Sequence, residues 1–191
     1  REEGGTPNIV GDIRAGLVMI VKAALGQEYI SRRNGALVRR ALAAWSDHPA
    51  LTLLGGPRAD RLPIFSFIVR HPDGARFDPQ AFTRALSDLY GIQVRGGCVC
   101  AGPFGHRLLH ISHDESCILR EEIRGGDDSH KPGWVRLNLH FAMDEHTVET
   151  IIHSVTELAG NWSAGDKIGD RYTAGGGAGR GADADAQLTT A

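Results

Sequence analysis

The run Gln93-Val-Arg-Gly-Gly-Cys-Val-Cys-Ala-Gly-Pro-Phe-Gly105 holds the densest chemistry in this chain. Cys98 and Cys100 stand in a glycine-rich turn, three and five positions after Arg95. Glycine lets a backbone approach a ligand closely and adopt positive φ angles that other residues avoid. A thiol beside a cation and free backbone N–H groups is stabilised as its thiolate, the form that acts as nucleophile or metal ligand. The competing reading is a tight turn that holds two thiols by packing alone. A second chemical position is Arg136, in the segment Lys131-Pro-Gly-Trp-Val-Arg136. Its guanidinium can take a carboxylate in a two-pronged fork, which lysine cannot reproduce. Judged in isolation, Arg136 reads equally as a surface arginine in an ordinary ion pair. Thr6, in Gly4-Gly5-Thr6-Pro7-Asn8, precedes a helical pattern, and a helix N-terminus offers N–H groups and partial positive charge to a phosphate. The plainer role for Thr6 is to cap its own helix.

A different chemistry is open to the same region. Cys98, Cys100, His106, His110, His113 and Cys117 are close in sequence and could hold a structural zinc. Against this, Cys-x-Cys is not the usual Cys-x-x-Cys knuckle, and His113 and Cys117 fall on an expected helix. A non-catalytic dimerisation or interaction domain is the remaining alternative.

The chain has 191 residues and a net charge of −2, so no basic field argues for nucleic acid or an anionic membrane. No apolar run approaches the roughly 20 residues of a membrane span. Three cysteines make no disulfide framework and suit a reducing, cytoplasmic setting. Of the 21 basic residues only Lys22, Lys131 and Lys167 are lysines, which makes lysine-dependent chemistry easy to audit. A start at Arg1 rather than methionine reads as a processed product or a fragment.

The elements that must position these residues follow from periodicity and punctuation. Thr6 as N-cap and Pro7 at the first position open a helix with apolar Ile9, Ile13, Leu17, Ile20, Val21 and Ala24. A second helix covers Gln27 to Trp45, with Ile30, Leu37, Val38, Ala41, Leu42 and Trp45 on one face. Short strands are expected at Leu51–Leu54 and Pro63–Arg70, the latter aromatic and β-branched. Asp78 and Pro79 open a third helix with Phe82, Leu86 and Leu89 inward, and a strand at Ile92–Arg95 leads into the cysteine turn. Ser112-His-Asp-Glu115 is a capping box for a helix reaching Arg124. A polar loop, Gly125 to Gly133, precedes a strand that alternates from Trp134 to His140, placing Arg136, Asn138 and His140 on one side. Asp144 opens the last helix, striped by Val148, Ile151, Ile152, Val155 and Leu158. From Ser163 the Gly, Ala and Asp composition predicts a disordered tail.

The strings REEGGTPNIVGDIRAGL, RLPIFSFIVRHP, GIQVRGGCVCAGPFGHRLL and KPGWVRLNLHF, in that order, resemble the C-terminal part of the class V aminotransferases. That family of pyridoxal-phosphate (PLP) enzymes includes the cysteine desulfurases and has the fold type I architecture. The resemblance implies an α/β chain: residues 1–25 as a connecting segment and helix, 26–162 as the small C-terminal domain with about four strands, and 163–191 as tail. It implies that Thr6 contacts the cofactor phosphate across a homodimer interface and that Arg136 holds the α-carboxylate of an amino-acid substrate. It implies that Arg95 and Cys100, in the pattern Arg-x-x-x-x-Cys, line the active-site loop, with Cys100 the nucleophile of a desulfurase. The chain departs from the desulfurase pattern at Cys98 and Val99, where histidine often stands, so transamination and cysteine desulfuration are both implied. The Schiff-base lysine, commonly preceded by histidine, and the partners of the cofactor ring belong to the large domain, and none of the three lysines has that setting. PLP is therefore expected to be bound mainly by a large domain that this chain lacks, leaving the chain alone inactive.

Overall fold

The computed structural model describes residues 5, 7–58, 60–97, 102–127, 131–163 and 172. Its elements run α1 (Ile9–Leu25), α2 (Gln27–Trp45), β1 (Leu51–Leu53), β2 (Ile64–Val69), α3 (Pro79–Tyr90), α4 (Gly102–Leu109), α5 (His113–Arg124), β3 (Val135–Asn138) and α6 (Glu145–Ser163). The strands form one antiparallel sheet in the order β1-β2-β3. The register pairs Thr52 with Ile68 and Ser66 with Arg136. The α/β character expected from the sequence is the architecture observed.

Alternation gives the sheet two unlike faces. The inner face carries Leu51, Phe65, Phe67, Val69, Val135 and Leu137 into the main core, where α2, α3 and α6 supply Trp45, Phe82, Leu86, Val155, Leu158 and Trp162. Trp45 meets Phe65 edge to face at 5.1 Å between centroids, and Phe67 meets Phe82 at 6.2 Å. Each large side chain buried this way contributes about 1.5–3 kcal/mol relative to exposure. Among the described residues the outer face is covered over one part, where Leu109 of α4 packs with Leu54, Ile68 and Trp134. Beyond that cluster Arg136 and Asn138 are exposed.

Helix α2 has the bounds and the buried face that its periodicity predicts. Asp78 caps α3 by accepting from the N–H groups of Gln80 and Ala81, with Pro79 in the first turn. The Ser112–Glu115 capping box is present at α5. Four expectations are corrected. Helix α1 starts two residues later than the Thr6-Pro7 signal, because the Asn8 side chain accepts from Gly11 N–H and takes the capping role; Thr6 lies outside the described residues. The strand expected at Ile92–Arg95 reduces to a single bridge, Arg95 with Arg136. The Ile92 N–H is already committed to the carbonyl of Leu86, closing α3 after the left-handed Gly91. Leu89 is 46% exposed, because the inward arc of α3 runs through Ala81, Phe82, Ala85 and Leu86, and Tyr90 rather than Leu89 continues it against the core. Helix α4 stands where Gly-Pro-Phe-Gly suggested only a turn.

Helix α1 contacts α2 and has no buried residue; Ile13, Leu17, Val18, Ile20 and Val21 are 56–66% exposed. No helix among the described residues is long and apolar enough to cross a membrane. Of the expected tail, Tyr172 is described, packed 6.2 Å from Trp162, and its carbonyl accepts from Arg84; the rest from residue 164 on lies outside the described residues.

Candidate active site

Arg95 and Arg136 are brought together. They form an antiparallel bridge in which each N–H donates to the other's carbonyl, at 3.0 and 2.6 Å. Residues paired in this way project to the same face of the sheet. Arg136 sits on the outer face, so Arg95 does too, and both side chains are exposed. Among the described residues no hydrogen bond or ion pair engages either guanidinium. The result is two cations side by side over the uncovered part of the outer face, beside Asn138.

The backbone around the pair is tightly fixed. Trp134 N–H donates to the Gly97 carbonyl at 3.3 Å, continuing the pairing past Arg95 and Arg136. Gly96 lies against the start of α3, where a Cβ would stand 2.5 Å from the Pro79 carbonyl oxygen. Gly97 has φ +99° and is buried. Trp134 is 6% exposed and anchors the β3 side of the junction in the outer cluster.

On the other side of Arg95 the pairing with β3 opens. Between residues 91–94, β3 and the first turns of α6 lies a cleft of about 450 Å³, with Ile92, Val94, Leu137, Met143 and Ile151 as apolar walls. Gln93, Asn138, His146, Thr147 and Thr150 provide its polar lining. Tyr90 also borders it; burial holds the pKa of its phenol above the ordinary value, and the negative charge of Glu157 adds to that. Sequence reasoning missed this cleft, since the expected strand at Ile92–Arg95 would have filled the gap with paired backbone.

Cys98, Cys100 and Thr6 lie outside the described residues. Gly97 and Gly102, the described residues on either side of the Cys98–Ala101 segment, are placed, and the first of them lies two residues from Arg95. Of the cysteine–histidine cluster, Cys117 Sγ lies 3.8 Å from His113 Nε2 on the same helix. Among the described residues no three metal-ligating side chains come together.

The donor set suits an organic anion. Two guanidiniums offer several N–H donors to one carboxylate, and charge-assisted bonds of this kind are roughly twice as strong as neutral ones. The described lysines do not fit a Schiff base with pyridoxal phosphate. Lys22 is exposed on α1 and Lys131 is exposed in the loop before β3. The described residues therefore offer no lysine in a Schiff-base setting, and no step through the cofactor is assigned to them.

Curated relatives share this pattern of sequence. A cysteine desulfurase of Dickeya dadantii is 34% identical over 107 residues, 56% of this chain and 24% of that protein. A cysteine desulfurase of Pectobacterium carotovorum is 34% identical over 130 residues, 64% of this chain and 29% of that protein. Among solved structures, the apo cysteine desulfurase of Thermococcus onnurineus superposes with a TM-score of 0.54 at 25% identity, over 83% of this chain and 33% of that one. The chain thus spans a quarter to a third of the length of these relatives. Residues 1–151 match the family described as aminotransferase class-V, and the chain belongs to that family.

Proposed function

We propose that this chain supplies the substrate-carboxylate part of the active site in a PLP-dependent enzyme that acts on an amino acid, by cysteine desulfuration or by transamination. The observation that carries the proposal is the Arg95–Arg136 pair, exposed on one face and engaged by no other described residue. Arg136 holds the α-carboxylate in its fork, and Arg95 adds a second positive charge beside it. Together they fix the orientation of the substrate's Cα, which is the positional part of catalysis. The cofactor, when bound, supplies the electron sink. Thr6 is proposed to contact its phosphate, across a homodimer interface, while a large domain holds the rest of it.

The domain division proposed from the sequence accounts for the apolar surface of α1. Residues 1–25 connect to a large domain, and the apolar side chains of α1 are covered by it in the intact enzyme. Residues 26–162 form the small domain and 163–191 the tail.

In the desulfuration branch Cys100 is the sulfur acceptor. Its thiolate attacks the substrate sulfur, an S–S bond forms, and the C–S bond breaks with its electron pair left on the substrate carbon, which takes up a proton. The enzyme is left with a persulfide and the amino acid leaves as alanine. The names of the relatives support this branch; Cys98 and Val99, where desulfurases often have histidine, support transamination.

The test uses the intact protein with cysteine and with other amino acids as substrates. Arg136→Lys keeps the charge but loses the fork, and is expected to raise the half-saturating concentration by about 10- to 150-fold, the equivalent of ~1.5–3 kcal/mol. An unchanged kcat/KM would remove Arg136 from the site. Cys100→Ser is expected to abolish sulfide release in a desulfurase and to leave amino transfer intact in a transaminase.

A further inference from the structure

We propose that Gly97 and Gly133 are positioning residues: their bare backbones cross in contact, and the crossing sets the spacing at which Arg95 and Arg136 act together on one carboxylate. The inference rests on the carboxylate reading of the arginine pair and adds to it what holds the pair in place. A Cβ built on Gly133 would lie 2.5 Å from both the carbonyl carbon and the oxygen of Gly97, and 2.9 Å from its Cα. Those are main-chain atoms, so no rotamer change relieves the overlap. The two chains could accept a side chain only by moving apart.

The surroundings leave little freedom for that movement. Gly97 is closed in by Gln80, whose Nε2 would be 3.1 Å from a Cβ. Gly96 is pressed on α3, where a Cβ would meet Pro79 O at 2.5 Å and Thr83 Cγ2 at 2.6 Å. The crossing is therefore held between α3 and β3, both of which send large side chains into the main core. From Gly97 the chain runs back one residue to Gly96 and then to Arg95; from Gly133 it runs through the buried Trp134 to Arg136. The hydrogen bond from Trp134 to Gly97 and the two between Arg95 and Arg136 lock the same register. Separation at the crossing would be transmitted to the spacing of the guanidiniums. A displacement of about 1 Å at a substrate-positioning group can cost about 10²-fold in kcat/KM.

Gly105 provides the control. A Cβ there would lie 3.8–3.9 Å from the Trp134 ring, an ordinary contact on the same junction. Gly105→Ala changes glycine to alanine next to the site without separating the two backbones.

The experiment uses the intact protein with four variants: Gly133→Ala, Gly105→Ala, Arg136→Lys and Arg95→Gln, the last two also combined. Three quantities are read: KM and kcat for the amino-acid substrate, competitive inhibition by propionate as a bare carboxylate probe, and the thermal midpoint. Gly133→Ala is expected to weaken propionate and raise KM by about 10²-fold, with kcat less affected, while Gly105→Ala matches the parent. The combined arginine variant is expected to lose less than the product of the two single losses, because both side chains act on one carboxylate. Parent-like propionate binding by a folded Gly133→Ala protein would overturn the inference. Strictly multiplicative arginine losses would overturn it too, because no joint action would then exist for the crossing to set, and that arm does not require Gly133→Ala to fold. If Arg136→Lys itself binds propionate like the parent, the carboxylate reading fails first, separately from the glycine crossing.

Discussion

Among the described residues two arginine pairs are set directly opposite one another across antiparallel bridges, Arg70 with Arg76 and Arg95 with Arg136. Like charges in that arrangement repel. In the first pair the protein answers the repulsion itself. Arg70 donates from Nε to Thr52 Oγ1 at 3.0 Å and from Nη1 to the Gly74 carbonyl at 2.8 Å. Arg76 donates from Nη2 to the Leu109 carbonyl at 2.7 Å, and Glu115 lies close enough to act on its charge. In the second pair no described residue takes either guanidinium. The first pair is part of the scaffold, tying the β2 hairpin to the end of α4. The second has its donors turned outward, which is what a ligand site requires and a scaffold does not.

The contrast is broken most strongly by removing Arg76. Arg76→Met keeps the apolar stem and loses a charge-assisted hydrogen bond, expected to cost about 1.5 kcal/mol, the low end of the range for a group in partial contact with water. Denaturant unfolding of the intact protein reads the loss. Arg136→Met should leave stability within about 0.5 kcal/mol, as expected for a surface change away from packed features. Equal losses from the two would mean that both pairs are scaffold.

The pH response sharpens the same distinction. Glu115 has its carboxyl pKa held below the ordinary value, first by hydrogen bonding to the Ser112 backbone and then by the Ser112 hydroxyl, with Arg76 adding a smaller Coulombic pull. A depressed carboxylate contributes stability above its unfolded pKa, and that contribution is lost as the pH falls through the folded value. Hydrogen-exchange protection over α5, taken relative to the intrinsic rate at each pH, should therefore fall on acidification below the ordinary glutamate range, while the Arg95–Arg136 bridge shows no matching change. Protection in α5 that is flat down through that range would separate Glu115 from the first pair.

Helix caps give a smaller effect that depends on what each helix is packed against. Asp78→Ala and Ser112→Ala each remove an N-cap, worth about 1 kcal/mol. Helix α3 buries Ala81, Phe82, Ala85 and Leu86, so the first loss should appear in global unfolding. Helix α5 buries none of its residues, so the second should appear as faster local exchange with the global midpoint unmoved. A global shift from Ser112→Ala equal to that of Asp78→Ala would show α5 to be part of the core.

What could be read from the residues alone follows the same division between local and distant forces. Helix α2, the Asp78 and Ser112 caps and the alternation of β3 were legible, because each depends on residues within a turn or two. Arg136 on the polar side of its strand was legible for that reason as well. Its pairing with Arg95 was not, since the two are far apart in sequence and share no local signal. Nor was the crossing of Gly97 and Gly133, where the glycines read as turn formers and the structure uses them for contact between two chains. Helix α4 was hidden by Gly102, Pro103 and Gly105, whose turn signals are overridden when Leu109 packs on Leu54, Ile68 and Trp134. Asn8 displaced Thr6 as the cap of α1 because both are good capping residues and only the geometry chooses between them.

The smallest effect bears most directly on why the second pair is left unanswered. If Arg95 and Arg136 face each other for a ligand's sake, the ligand-free protein carries their repulsion as a cost. Arg95→Gln keeps the length and polarity of the side chain and removes one charge. It should raise the stability of the ligand-free protein by about 0.2–1 kcal/mol, the range of cross-strand pair energies. Exposed charges are screened by salt, with a Debye length of about 10 Å at 0.1 M, so the gain should be largest at low ionic strength and fade toward 1 M. The same substitution should weaken propionate, so stability and binding move in opposite directions. In the scaffold pair the corresponding change, Arg70→Gln, removes bonds to Thr52 and Gly74 and should lower stability at every salt concentration. A loss of stability from Arg95→Gln, independent of salt, would show that Arg95 has a structural partner after all and would make the two pairs alike.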